Sequence, residues 1–199
     1  MADGIKIEFD QNMLANIERR LGNMRSQAPK VLKMAINDTA RKAREDLGKK
    51  AQETYAVKVK GLASKIRIQA ATAGSLEAIL RVNGEALPLA QRYFKVQGGN
   101  GPKCPHMVTT VNKTEGSHTW GPRAFQAPGK VWTAEYPHPN PKKRHKTQKG
   151  RLPVKSLRTV SVPQMIGNEK QVYGIVEPKI QENLRNSVNR HIERVLSGG

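Results

Sequence analysis

Of its 199 residues this chain spends one on cysteine, three on phenylalanine and two on tryptophan. A lone Cys104 cannot close a disulfide within the chain and suits a reducing compartment. Aromatic residues make up 5% of the chain and hydrophobic ones 37%. With so little large apolar volume, a modest core is expected, together with some apolar surface left for partners to cover. No stretch approaches the roughly 18 consecutive apolar residues of a membrane span. The opening Met-Ala-Asp-Gly-Ile-Lys has neither the basic start nor the apolar run of a secretory signal. The expectation from these absences is a soluble protein, made in a cytoplasm and without a membrane partner.

Acidic residues are scarce as well. Sixteen Asp and Glu stand against thirty-five Lys and Arg, a net charge of +19. A field of that sign gathers polyanions at the surface and steers them in. Nucleic acid is the leading anionic partner on this ground.

The pattern along the chain predicts an α+β fold, with two or three helices covering one face of an antiparallel sheet. Phe9, Met13, Leu14, Ile17, Leu21 and Met24 recur at helical spacing behind Asp10, a candidate N-cap, and predict a first helix over 10–25. Pro29 suits the first turn of a second helix, which buries Val31, Leu32, Ala35, Ile36, Thr39, Ala43 and Leu47 and reaches Glu53, with Gly48 a weak point. Alternation over 65–70 and 76–82 predicts a hairpin. Leu87-Pro88-Leu89, then Tyr93-Phe94, reads as an edge strand or an extended arm, because proline cannot donate to a central ladder. The span 96–117, rich in Gly and Pro, reads as a flexible segment from which strands resume near 108–111. Further strands are expected at 124–127 and 131–135, around a Pro128-Gly129 turn. A last helix is expected after Pro178, with Ile180, Leu184, Val188, Ile192 and Val195 as its apolar seam. A natural division is 1–28 as an added helix and 29–199 as the main domain.

Residues for catalysis are hard to assemble. Cys104 and His106 are one residue apart in a Gly- and Pro-rich stretch, a poor setting for a nucleophile and its base. The five histidines (His106, His118, His138, His145, His191) show no i, i+4 pair, and no Cys-x-x-Cys or His-Glu-x-x-His occurs. Glu45 and Asp46 sit among Arg41, Lys42 and Arg44, where ion pairing along a helix surface accounts for them. No carboxylate cluster of the two-metal nuclease kind is visible, and Gly98-Gly99-Asn100-Gly101 lacks the Lys-Ser/Thr of a phosphate loop. The chain is therefore expected to be no enzyme and to need no cofactor and no metal.

One segment does carry a physical signal. Between Glu135 and Glu169 there is no acid, while eight Lys or Arg occur: Lys142, Lys143, Arg144, Lys146, Lys149, Arg151, Lys155 and Arg158. Prolines and unscreened like charge oppose compact folding, so a flexible arm is expected over 137–150. Its cations can neutralise phosphates with steep salt dependence and little sequence choice. A solvated loop, or a tail that docks on an acidic protein neighbour, fits them equally. Aromatic residues are not interleaved with these charges in the sequence, so base stacking is not indicated there.

The stretch Arg151-Leu-Pro-Val-Lys-Ser-Leu-Arg-Thr-Val-Ser-Val-Pro-Gln-Met165 resembles the closing motif of the minor tail protein Z family of tailed bacteriophages and prophages. In that family a Leu-Pro-Ile/Val pair precedes a Ser-Val-Pro turn and a C-terminal helix. Ala124-Phe125 with the hairpin over 128–136, Ala35-Ile-Asn-Asp-Thr-Ala40 in a long basic helix, Tyr55 to Ile68, and Gly84-Glu-Ala-Leu-Pro-Leu89 resemble its other elements in the same order. The likeness covers about 30–196. Thr159-Val160 stands where the family commonly has Gly-Pro.

The resemblance implies a structural tail-completion protein at the head-proximal end of the tail, in the neck of a virion assembled in the host cytoplasm, which helps join head to tail so that DNA can pass. It carries no catalytic residues over. The implied partners are the tail terminator, tail tube and head–tail connector, further copies of itself in a ring, and genomic DNA in the lumen. The eight cations above are the expected contacts to phosphate or acidic neighbours, while Leu152, Pro153, Val154, Val162 and Pro163 are expected to hold the final strand to the body. Rival readings are a free nucleic-acid-binding protein, another neck component such as a tail terminator or head-completion protein, and a divalent-dependent nuclease.

Overall fold

A computed structural model describes residues 4–8, 11–58, 61–72, 74–91, 93–98, 107–120, 124–127, 130–134 and 154–198. The fold is α+β, and the strands paired among the described residues are antiparallel. Its contacts divide the chain into two compact units: Met1–Ala51 with Gly61–Gly84 and Val162–Gly199, and Gln52–Lys60 with Glu85–Ser161. The first holds nearly all of the helix and the second most of the strands.

In the helical unit, α1 (Gln11–Leu21) buries Ile17 and Leu21. The chain then tightens into a 3-10 segment, Gly22–Gln27, in which Gly22 has φ +52° and Met24 leaves helical geometry. That change of pitch breaks the apolar stripe, and Met24 is 41% exposed instead of continuing it. Phe9 and Asp10 lie outside the described residues. The long helix α2 (Ala28–Thr54) takes Pro29 in its first turn, where no N–H is missed. It buries the whole expected stripe from Val31 to Leu47, with Ala40 and Ala51 added.

Strands β1 (Ile5–Ile7), β2 (Ile66–Gln69) and β3 (Ala78–Val82) form a sheet in the order β1-β3-β2. The hairpin β2–β3 follows the expected alternation, pairing Ile66 with Val82 and Ile68 with Leu80. β1 was not expected, since three residues are too short to show a period. It uses the other edge of β3, with Ile5 opposite Leu80.

Two helices close this unit. The Ser-Val-Pro stretch enters a short helix, α3 (Val162–Ile166), in which Val162, Met165 and Ile166 are buried, so the chain after Ser161 is not strand. The last helix, α4, spans Tyr173–Leu196 and has Pro178 inside it. The expected start after Pro178 falls six residues late. Proline in the second turn forfeits one backbone bond, whereas the buried run Val176, Ile180, Leu184, Val188 and Ile192 crosses it without a break. Packing along that run outweighs the single forfeited bond.

In the strand-rich unit, β5 (Lys95–Gln97), β6 (Met107–Thr110) and β7 (Ser117–Trp120) form one sheet in that order. The span expected as flexible from 96 to 117 thus contains regular structure, and Val96 and Met107 are buried. Residues 99–106, Cys104 among them, lie outside the described residues. The β6–β7 turn is built by Asn112, whose Oδ1 accepts from the Thr114 N–H (3.0 Å) and hydroxyl (2.8 Å), while its Nδ2 donates to Glu115 (2.8 Å). Beside it, Lys113 Nζ donates to the Gln52 carbonyl (2.7 Å) and the Lys113 N–H to the Thr54 carbonyl (2.8 Å). These bonds satisfy C-terminal carbonyls of α2 that the helix itself leaves open.

A second sheet orders β10 (Val154–Ser156), β9 (Lys130–Ala134) and β8 (Ala124–Ala127), and a two-stranded one pairs β11 (Arg158–Ser161) with β4 (Ala86–Pro88). Three backbone bonds join them in a ring. Val131 N–H donates to Leu89 (2.8 Å), Leu89 N–H to Leu157 (2.8 Å) and Leu157 N–H to Val131 (2.9 Å). Through this junction the residues next to β4 and β11 reach the backbone of β9. The expected single sheet is instead four small ones among the described residues.

Candidate polyanion interface

Charge is not spread evenly over the two units. The strand-rich unit, the smaller one, contains sixteen Lys or Arg against four Asp or Glu, a net +12; the helical unit has nineteen against twelve, a net +7. Most of the unbalanced positive charge therefore lies in the part built from short strands and loops, where few carboxylates are at hand to neutralise it.

Two of the eight expected contact residues are described. Lys155 is exposed on β10, opposite Thr133. Arg158 is exposed at the start of β11, opposite Pro88, and its guanidinium lies 4.0 Å from Glu85. Both partners of that ion pair are open to solvent, 61% and 93%, so the pair holds Arg158 only weakly. Lys142, Lys143, Arg144, Lys146, Lys149 and Arg151 lie outside the described residues. The residues that bracket them are well placed: Ala134 ends β9, Val154 begins β10, and the two are paired. The basic stretch is thus inserted between adjacent antiparallel strands, with its two points of attachment side by side.

Leu152 and Pro153 also lie outside the described residues. Of the residues expected to fix the final strand, Val154 is 47% exposed and does not serve that purpose, while Val162 is buried but belongs to α3. Alternation explains the difference at Val154. It shares a face with Trp132, Phe125 and Ser156, opposite to the face of buried Val131 and Ala124.

The helical unit holds a polar seam that sequence reading missed. Asp38, Lys42 and Asp46 follow at i, i+4 and i+8 on α2, which aligns them on one face. The Asp38 carboxylate accepts from Arg190 (2.8 Å) and pairs with His191 Nε2 (3.0 Å), Lys42 donates to Asn183 (2.7 Å), and Lys179 to Asp46 (3.2 Å). The partners descend α4 as the chain ascends α2, so the two helices run antiparallel. Asp46 and Lys42 thus pair across helices, contrary to the expectation of ion pairing along one helix. A cavity of about 190 Å³ lies in the seam between Lys42, Asn183 and Arg190. Beside α1, the lining of a second cavity of about 440 Å³ includes Ile17, Leu184 and Val188, and also Arg20 and Asn189, which are joined by a bond of 2.6 Å.

Other titratable groups are dispersed. His118 meets Trp120 edge to face at 4.5 Å, and His191 is engaged with Asp38. The Tyr173 hydroxyl is held above its ordinary 10.0 by burial first, then by its hydrogen bond to Glu177 and the nearby Glu177 and Glu169 carboxylates. Among the described residues no group of three or more His, Cys, Asp or Glu is gathered to hold a metal, and no helix is long and apolar enough to cross a membrane. His106, His138 and His145 lie outside the described residues.

No family model, curated protein or solved structure matches the chain. The functional reading therefore rests on the residues themselves and on the order of the motifs that carry the resemblance.

Proposed function

We propose that this protein is a structural tail-completion protein of a phage or prophage neck, which joins tail to head through protein contacts and a cationic surface. The observation that carries the reading is the sorting of charge: the strand-rich unit bears a net +12, and its basic stretch is inserted at one place between two paired strands. Six cations within ten consecutive positions, 142–151, make a point of high charge density along the chain. Such a point suits a phosphate backbone or an acidic neighbour and demands no base sequence. The resemblance in motif order supplies the setting, and the α+β body is compatible with it.

In this reading the two units form the body of each subunit, while Lys155, Arg158 and the basic stretch meet DNA or an acidic neck protein. The rival reading, a free nucleic-acid-binding protein, draws on the same charge. Electron microscopy of tails assembled with and without the protein, gold-labelled at its C-terminus, separates the two. Label at the head-proximal end, and tails that fail to join heads when the protein is omitted, are the expected results. Normal virions formed without it, with no label on any tail, would transfer the assignment to the rival.

A further inference from the structure

We propose that the outer face of the β10-β9-β8 sheet is a stacking platform for unpaired nucleic-acid strands. The register places Phe125 opposite Trp132, and Trp132 opposite Ser156, so the three share one face in one row. Ala127 and Lys130 form the next row on the same face. Val131 and Ala124 point the other way and are buried, which makes the Phe125–Trp132 face the outer one. Phe125 is 37% exposed, Val154 on the same face is 47% exposed, and Lys130 is exposed. Ser156 and Ala127, beside the rings, are small side chains that stand no taller than the aromatic row.

The chemistry of the occupant follows from two requirements. It has to offer flat apolar surface to an aromatic row, and it has to carry negative charge to approach a unit of net +12. A second copy meets the first requirement but brings the same +12 with it, so like charge opposes it. A DNA duplex meets the second, but its base faces are already stacked on each other and only edges and phosphates are presented. Single-stranded nucleic acid meets both: its bases stack on aromatic side chains with little sequence preference, and its phosphates accept cations such as Lys130. This platform does not rest on the neck assignment. Without the six cations of the basic stretch the unit still carries a net +6 and still calls for an anionic occupant, so either proposal can fail while the other stands.

The test uses the full chain, a labelled 20-mer of oligo(dT) and a duplex of equal length. Phe125→Leu and Trp132→Leu each keep an apolar side chain at the strand position and remove the ring. Each is expected to weaken oligo(dT) binding on the order of ten-fold, with duplex affinity and the salt slope of binding unchanged, since every cation that meets phosphate is still in place. In the unaltered protein, oligo(dT) at saturation is expected to quench tryptophan fluorescence more than the duplex does; this reading stands even if a Leu variant fails to fold. Equal losses for both DNA forms would reduce the rings to a structural role and overturn the platform. Equal quenching, or Leu variants that bind oligo(dT) like the unaltered chain, would overturn it too and leave the face to an acidic protein partner.

Discussion

At the scale of single residues, Asp38 does the most with the least. One carboxylate oxygen meets both Arg190 and His191, and the other faces Arg41 at 3.4 Å. Arg190 and Arg41 are exposed and cost little to release. His191 is different, because its side chain is only 4% exposed and its ring N–H needs an acceptor. Asp38→Ala strands that donor in the interior. A loss of about 1–3 kcal/mol is expected from such an orphaned group, read as a lower urea midpoint, and Asp38→Asn, which keeps an oxygen acceptor, is expected to restore part of it. An unchanged midpoint for Asp38→Ala would show that water reaches His191. None of this was visible in sequence, since Asp38 and His191 stand 153 positions apart. An Asp on a basic helix reads as a partner for its neighbours at i+3 and i+4, and Arg41 does fill that place.

Among elements, Gly48 shows how one residue is judged differently with and without its surroundings. Within α2 it reads as a flaw, for glycine is about 1 kcal/mol worse than alanine in a helix interior. An added Cβ there meets the Ala63 Cβ at 2.7 Å and its backbone N at 2.8 Å. Those atoms belong to a 3-10 turn, Leu62–Lys65, and cannot swing aside as a long side chain would. Gly48→Ala is therefore expected to destabilise, with overpacking of about 1–3 kcal/mol outweighing the gain in propensity. A thermal midpoint that rises instead would mean that the 3-10 turn yields. The other elements divide along the same line. α2, the β2–β3 hairpin and the seam of α4 were legible because period and burial agree over many residues. The start of α4 was not, because Pro178 outweighs its neighbours in sequence and is outweighed by packing in the fold. β1 and α3, of three and five residues, are too short to carry a period at all. The Phe125–Trp132 pairing could have been found by counting outward from the turn that the sequence predicts at Pro128-Gly129. The addition of Val154 to that face could not, because the long basic insertion separates β9 from β10.

For the molecule as a whole, the consequence of the charge is a salt dependence. Replacing Lys142, Lys143, Arg144, Lys146, Lys149 and Arg151 with Ser is expected to flatten the plot of log affinity for duplex DNA against log salt. The slope changes by about 0.9 for each phosphate that is no longer neutralised, up to about 5 if all six cations engage. An unchanged slope would remove the stretch from DNA binding and leave it to an acidic protein. What the sequence alone determined is what depends on composition and local period: the net +19, the α+β class, the long helix and its buried stripe, and the place of the basic stretch along the chain. What only the tertiary structure decided depends on pairing between distant positions. These are the concentration of charge in one unit, the polar seam from Asp38 to Lys179, and the assembly of Phe125, Trp132 and Val154 on one outer face. The physical reason is that a period reports which side of an element is buried, while a neighbour in space is chosen by pairing across a turn or insertion whose length erases the register.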